Sequence, residues 1–288
     1  MPVLSTEELQ RMIPSLDSKV GGYLLETLRK MFAIDKVSSV YDSCCEYRGG
    51  EFAGKLVECL GLDYTLSGRT DILESLSDKP FITVSNHPYG GIDGIILADL
   101  FTRVNPDFKM IVNEILSHLE ALMPACFVVN PKNDDSKAVT RTNILAIRRA
   151  MEHVASGKPL GIFPSGAVSD FRLKTGRIRD RQWQEGMIRV IRKLGVQVIP
   201  VRFFDRNSAF FYALGLVNWK LRTLRLPGEI FNKAGKRCRV GIGEPISPEI
   251  ISGFGSDAEL GEFLRGRVYD MQPDGAEIKI EKNILHSN

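Results

Sequence analysis

Pro80-Phe81-Ile82-Thr83-Val84-Ser85-Asn86-His87-Pro88-Tyr89-Gly90-Gly91-Ile92-Asp93 is the stretch on which the fold turns. Residues 80–84 are apolar and β-branched, as expected of a strand buried on both faces. Ser85 to Gly91 holds Pro and two Gly and reads as a turn. An apolar helix is expected over 93–101. Working outward, short apolar runs predict further strands over 109–112, 126–129, 160–163, 196–201 and 237–242. Helical spacing predicts helices over 136–155, 184–194 and 257–270. Strand and helix alternate, which defines an α/β domain with a mainly parallel central sheet flanked by helices.

Before this block, residues 5–65 read as helices. Leu24, Leu25, Leu28, Met31 and Phe32 recur at helical spacing, as do Phe52, Leu56, Val57 and Leu60, with Gly61 as a stop. The expected organisation is a helical N-terminal segment over 1–65 and one larger domain over 66–288.

A histidine directly after a buried strand sits at the sheet's C-terminal edge, where open α/β sheets place their sites. There an imidazole can take a proton from a hydroxyl at neutral pH, and a nearby carboxylate can hold its second nitrogen. His87 and Asp93 are the candidates for base and partner. The plain alternative is a loop histidine beside a helix-capping aspartate. Two further strand ends carry polar turns: Phe163-Pro164-Ser165-Gly166, and the stretch after Val198-Ile199-Pro200-Val201.

With these three blocks in order, the chain resembles the lysophospholipid (glycerol-phosphate) acyltransferase superfamily. The likeness extends over roughly residues 35–250. The run from Asn86 to Gly94, Asp180-x-x-Trp183, Phe204-Asp205-Arg206-Asn207-Ser208 and Gly241-Ile242-Gly243-Glu244-Pro245-Ile246 are similar to a bacterial branch often labelled haemolysin. That branch includes O-acyltransferases of ornithine and glycine lipids. The resemblance implies acyl transfer from an acyl-carrier protein or acyl-CoA thioester to a lyso-lipid hydroxyl, with His87 as general base. It implies no cofactor besides the thioester cosubstrate, and a substrate site drawn from Asn86, Gly90, Gly91, Phe163, Pro164, Ser165, Gly166, Lys132, Arg177, Arg179, Arg206 and Asn207.

The chain departs from the superfamily pattern in three places. The spacer between His87 and Asp93 is five residues, where four are usual. Ser165 stands where Phe-Pro-Glu-Gly has its glutamate. The stretch Phe127-Val128-Val129-Asn130-Pro131-Lys132 lacks the arginine of glycerol-phosphate enzymes. Both lost side chains grip glycerol phosphate in those enzymes, so the expected acceptor is a lyso-amino-acid lipid, with lyso-phosphatidic acid as the alternative. Ser165 has no Gly-x-Ser-x-Gly elbow around it and reads as a turn serine, not a nucleophile. The turn's N–H groups are candidates for polarising the thioester carbonyl.

Arg172, Lys174, Arg177, Arg179, Arg181, Arg189, Arg192 and Lys193 crowd the stretch 171–193 against only Asp180 and Glu185. A solvated helix face explains such a run; Phe171 and Trp183 within it also suit an anionic membrane or an acidic carrier protein. No nucleic-acid motif accompanies the charge. The stretch 210–226 mixes aromatic, apolar and basic residues, as interfacial segments do. No run of about 18 apolar residues occurs, so no transmembrane helix is expected, and the N-terminus lacks a secretory pattern. Five cysteines without a CxxC read as reduced thiols. His118, His153 and His286 show no ligand spacing, so no metal is expected. The expected location is cytoplasmic, peripheral at the inner face of the membrane.

Overall fold

Strand β2 (Phe81–Ser85) is buried at all five positions and lies inside an eight-stranded sheet. The computed structural model describes residues 34–130, 141–273 and 278–279. The sequence expectations for residues 5–33, for Lys132 and the start of the 136–155 helix, and for His286 lie outside the described residues.

The chain runs through α1 (Ile34–Asp42), α2 (Gly49–Cys59), β1 (Asp63–Gly68), β2, α3 (Gly91–Val104), β3 (Lys109–Asn113), β4 (Cys126–Val129), α4 (Arg141–Ala155) and β5 (Leu160–Ile162). It continues through β6 (Asp170–Arg172), β7 (Arg177–Arg179), α5 (Glu185–Leu194), β8 (Gln197–Phe203), α6 (Ala209–Val217), α7 (Trp219–Phe231), β9 (Arg237–Ile242), α8 (Pro248–Ser252), α9 (Asp257–Tyr269) and β10 (Ile278–Lys279). The sheet order is β10-β1-β9-β8-β2-β5-β3-β4. β8, β2, β5, β3 and β4 are mutually parallel; β9 and β1, parallel to each other, run against them. The fold is the expected α/β sheet flanked by helices.

Alternation along the strands splits the core into two layers. Phe81, Met110, Val112, Ile199, Val201 and Phe203 face α2 and α3, joining Phe52, Leu97, Phe101 and Phe108. Ile82, Val84, Ile111, Leu160, Ile162 and Val198 face α4, α5 and α9, joining Val154, Ile188, Ile191 and Leu264. The core of α2 is continuous with that of β1 and β2.

Several elements differ from the sequence expectation. β1 occupies the end of the segment read as helical, because its alternating Tyr64 and Leu66 pack while Thr65 and Ser67 face elsewhere on a parallel pairing with β9. Between β3 and β4 the chain forms two 3₁₀ segments, Glu114–His118 and Glu120–Ala125, the second containing Pro124, whose missing N–H suits a short turn. The basic run over 171–193 is not one helical face. Its first half is the antiparallel hairpin β6–β7, and its second half is α5, where Arg189 and Arg192 pair with Asp257 at 3.0 and 3.2 Å.

Candidate active site

Because β2, β5 and β8 are parallel neighbours, their C-terminal ends lie on one edge of the sheet. This brings together Asn86-His87 after β2, Phe163-Pro164-Ser165-Gly166 after β5, and the 204–207 stretch after β8. The Gly241–Ile246 block runs antiparallel back along β8, from Gly241 opposite Arg202 to Ile246, which bridges to Val198 near the start of the strand.

Asn86 fixes where the chain leaves β2. Its side-chain Nδ2 donates to the Phe203 carbonyl at 2.9 Å, and its Oδ1 accepts from the Phe203 N–H at 2.8 Å. Pro88 then excludes a helical conformation for His87. The His87 main chain is held on both sides: its N–H donates to Asp180 Oδ1 at 3.1 Å, and its carbonyl accepts from the Ser169 N–H at 2.8 Å. The imidazole packs on the Phe163 ring, with centroids 4.4 Å apart.

His87 Nδ1 stands 2.8 Å from Asp93 Oδ2, with the ring N–H not aligned on that oxygen. Asp93 is fully buried, at the third position of α3, and its Oδ2 also accepts from the N–H groups of Tyr89 and Gly90 at 3.0 Å each. One carboxylate therefore caps the helix and faces the histidine, so the two readings of Asp93 coexist. The five-residue spacer closes because Gly90 adopts φ +89°, ψ −120°, a region that side chains other than glycine rarely enter. A Cβ there would stand 2.8 Å from Leu226 Cδ2. Burial raises the pKa of Asp93 above the usual carboxylate value, against the opposing pull of His87 and the two N–H groups. With Nδ1 turned inward and the side chain 19% exposed, the open edge of the ring is the Nε2 side.

The remaining expected residues fall as follows. Ser165 is buried and its hydroxyl donates to the Ala167 carbonyl at 2.8 Å, the bond of a turn serine. Gly166 has φ +62° and its N–H is taken by the Phe163 carbonyl at 3.0 Å, so that N–H is not available to a thioester carbonyl. The Pro164 carbonyl accepts from the Gln184 N–H at 2.9 Å. Asn207 donates from Nδ2 to the Tyr89 carbonyl at 3.1 Å, bracing the turn from outside. Gly91 opens α3. Arg177 is exposed on β7; Arg179 stacks over the Tyr269 ring at 4.7 Å; Arg206 is exposed, and its carbonyl accepts from Lys233. None of these arginines contacts His87.

Sequence reasoning quoted Asp180 as a point of likeness, and Trp183 both as that and as an aromatic suited to a membrane or carrier protein; the structure buries Trp183 instead. In the structure Asp180 is a fully buried hub. Besides the His87 N–H it accepts from Ser169 Oγ at 2.5 Å and Trp183 Nε1 at 3.2 Å. Tyr212 adds a hydroxyl that donates to the Pro88 carbonyl at 3.4 Å. The spacing Asp-x-x-Trp was the available signal, but only the fold places it under His87. Three of the thiols are held far from thiolate formation at neutral pH: burial pushes Cys126 up to about 12 and Cys44 and Cys238 up to about 11. Among the described residues no cluster of three or more His, Cys, Asp or Glu could hold a metal ion.

His87 thus stands at a strand end beside a buried carboxylate, with its other nitrogen on the open side, an arrangement that can carry proton transfer. The comparisons with known proteins place the chain in a family. A family described as acyltransferase matches residues 8–274, and the chain belongs to that family. A lyso-glycine lipid O-acyltransferase of Bacteroides thetaiotaomicron is 26% identical over 91% of this chain and 95% of its own length. Another of that name, from Phocaeicola vulgatus, is 28% identical over 77% of this chain and 78% of its own. Among solved structures, the 1-acyl-sn-glycerophosphate acyltransferase PlsC of Thermotoga maritima aligns with a TM-score of 0.48 and 19% identity, over 77% of this chain and 75% of that one. The protein is an acyltransferase. Among the described residues no helix is long and apolar enough to cross a membrane.

Proposed function

We propose that this acyltransferase moves a fatty-acyl group from a thioester, carried by acyl-carrier protein or coenzyme A, to the hydroxyl of a lyso-glycine lipid. Two relatives bearing that activity in their names, one matching nearly end to end, support the acceptor. The His87–Asp93 contact at 2.8 Å carries the mechanism.

His87 Nε2 takes the proton of the acceptor hydroxyl as its oxygen attacks the thioester carbonyl. Asp93 stabilises the imidazolium as it forms. The tetrahedral intermediate collapses with cleavage of the C–S bond, and the departing thiolate recovers the proton from Nε2. The products are an ester and a free thiol, with no covalent acyl-enzyme. No cofactor is required beyond the thioester. The reaction belongs at the inner face of the membrane, where a soluble donor meets a lipid acceptor.

The test is transfer by purified protein from labelled acyl-carrier protein or acyl-CoA to lyso-glycine lipid, lyso-ornithine lipid and lyso-phosphatidic acid side by side. Product on lyso-glycine lipid, lost in His87→Gln with the fold intact, is the expected result. Full activity in His87→Gln removes the base, and product on lyso-phosphatidic acid alone removes the acceptor.

A further inference from the structure

Helix α6, Ala209–Val217, holds no charged residue and is apolar nearly all round. Such a helix is ordinarily buried on every side or set in lipid. Here Phe211 and Tyr212 are buried, whereas Phe210 is 48%, Leu216 51% and Val217 80% exposed, and Trp219 opening α7 is 49% exposed. Leu173, in the turn of the β6–β7 hairpin, is 74% exposed. These five are more than half of the nine large apolar side chains exposed among the described residues.

They belong to one flank. α6 packs on α7 and on β6, and Arg222 of α7 forms an ion pair with Asp170 of β6. The flank is cationic as well as apolar. From Phe171 to Arg179 there are four cations and no acidic residue. Lys174 and Arg177 have no ion pair among the described residues, and exposed Arg206 precedes α6. The same flank borders the histidine turn: Tyr212 reaches the Pro88 carbonyl, Leu226 and Val168 close over Gly90, and Ser169 at the foot of the hairpin holds the His87 carbonyl.

We propose that α6, the α6–α7 turn and the β6–β7 tip form the surface by which the protein docks on a bilayer bearing anionic headgroups. An apolar helix end with a tryptophan beside it suits the headgroup–acyl boundary, and the unpaired cations complement anionic lipid. Resting on the reading of a lipid acceptor, this docking sets the His87 turn at headgroup level, so that the acceptor hydroxyl reaches Nε2 without leaving the membrane.

The experiment is flotation of the full chain with vesicles of phosphatidylcholine, alone or mixed with phosphatidylglycerol. Wild type should float with the anionic vesicles. Leu216→Asp/Val217→Asp should weaken that binding by about tenfold or more, and Lys174→Glu/Arg177→Glu by about fivefold for each cation lost. Lipids brominated in the acyl chain should quench fluorescence in wild type but not in Trp219→Phe, which keeps only the buried Trp183. Thermal unfolding checks that each variant is folded. The proposal is overturned if wild type ignores anionic vesicles. It also fails if the Asp pair floats as well as wild type and Trp219 is not quenched, which would place the contact elsewhere in the chain or mark the flank as a protein-binding face. These readouts need no acyl transfer, so they stand apart from the proposed reaction. Conversely, the Asp pair should keep wild-type transfer to acceptor dispersed in detergent while losing it on vesicles.

Discussion

Asp93→Asn separates the two roles that one carboxylate combines. The asparagine oxygen can still accept from the Tyr89 and Gly90 N–H groups, now at 3.0 Å, so the cap on α3 survives. What is lost is the negative charge 2.8 Å from His87 Nδ1. For charges about 4 Å apart at an effective dielectric of about 20, the attraction is about 4 kcal/mol. Removing it from the imidazolium of the transition state should lower kcat by roughly a thousandfold, at about 1.4 kcal/mol for each tenfold. Stability should move the other way. Burial raises the folded-state pKa of Asp93. Between its unfolded and folded values the native state therefore holds a proton that the unfolded chain has released. In that window stability falls as pH rises, and above it the deficit is constant. The amide carries no such deficit. At neutral pH, Asp93→Asn should be at least as stable as wild type, with a flatter profile across the acid window. The assay is paired: kcat with saturating thioester and acceptor, and denaturant midpoints from mildly acid to neutral pH. A variant within about threefold of wild-type kcat would refute the electrostatic role. Activity lost together with a lowered neutral-pH midpoint would show that Asp93 acts only as a cap.

Two further substitutions probe the frame around the histidine. Asp180→Asn keeps one oxygen for the His87 and Ser169 donors but sets an amide N–H₂ against Trp183 Nε1, in a site with no access to water. An expected loss of about 1–3 kcal/mol follows from two buried donors facing each other, measurable by urea unfolding; an unchanged midpoint would mean that the hub holds nothing. Ser165→Ala removes only the bond to the Ala167 carbonyl. It should cost about 1 kcal/mol and keep acyl transfer, whereas loss of transfer with the fold intact would reopen a serine acyl-enzyme route.

The strands that build the catalytic edge were legible because each is a short run of branched apolar residues, the pattern a doubly covered sheet requires. β4 and β9 fall at the expected positions, and β2, β5 and β8 within a residue or two. β6 and β7 were not legible. Asp170-Phe171-Arg172 and Arg177-Ile178-Arg179 are three-residue strands inside a basic run, and their pairing is fixed by the hairpin alone. β1 was hidden by its polar alternation and its pairing with β9, which lies far along the chain. The His87–Asp93 pair could be nominated from local spacing, and the two side chains do meet. The anchoring of His87 by Asp180 could not be, because 93 residues separate the two and only the parallel order of β2, β5 and β8 joins them. Lys132 lies outside the described residues, Arg177 and Arg206 are exposed, and Arg179 stacks on Tyr269, so none of the three arginines joins His87.

The two bonds that suspend the His87 main chain come from residues on either side of a single hairpin: Ser169 directly precedes β6, and Asp180 directly follows β7. The hairpin is thus a handle with both feet planted on one residue, Asp180 on the His87 N–H and Ser169 on its carbonyl. Lengthening or recharging its outer loop leaves those feet where they are, so the tip is free to vary without re-aiming the imidazole.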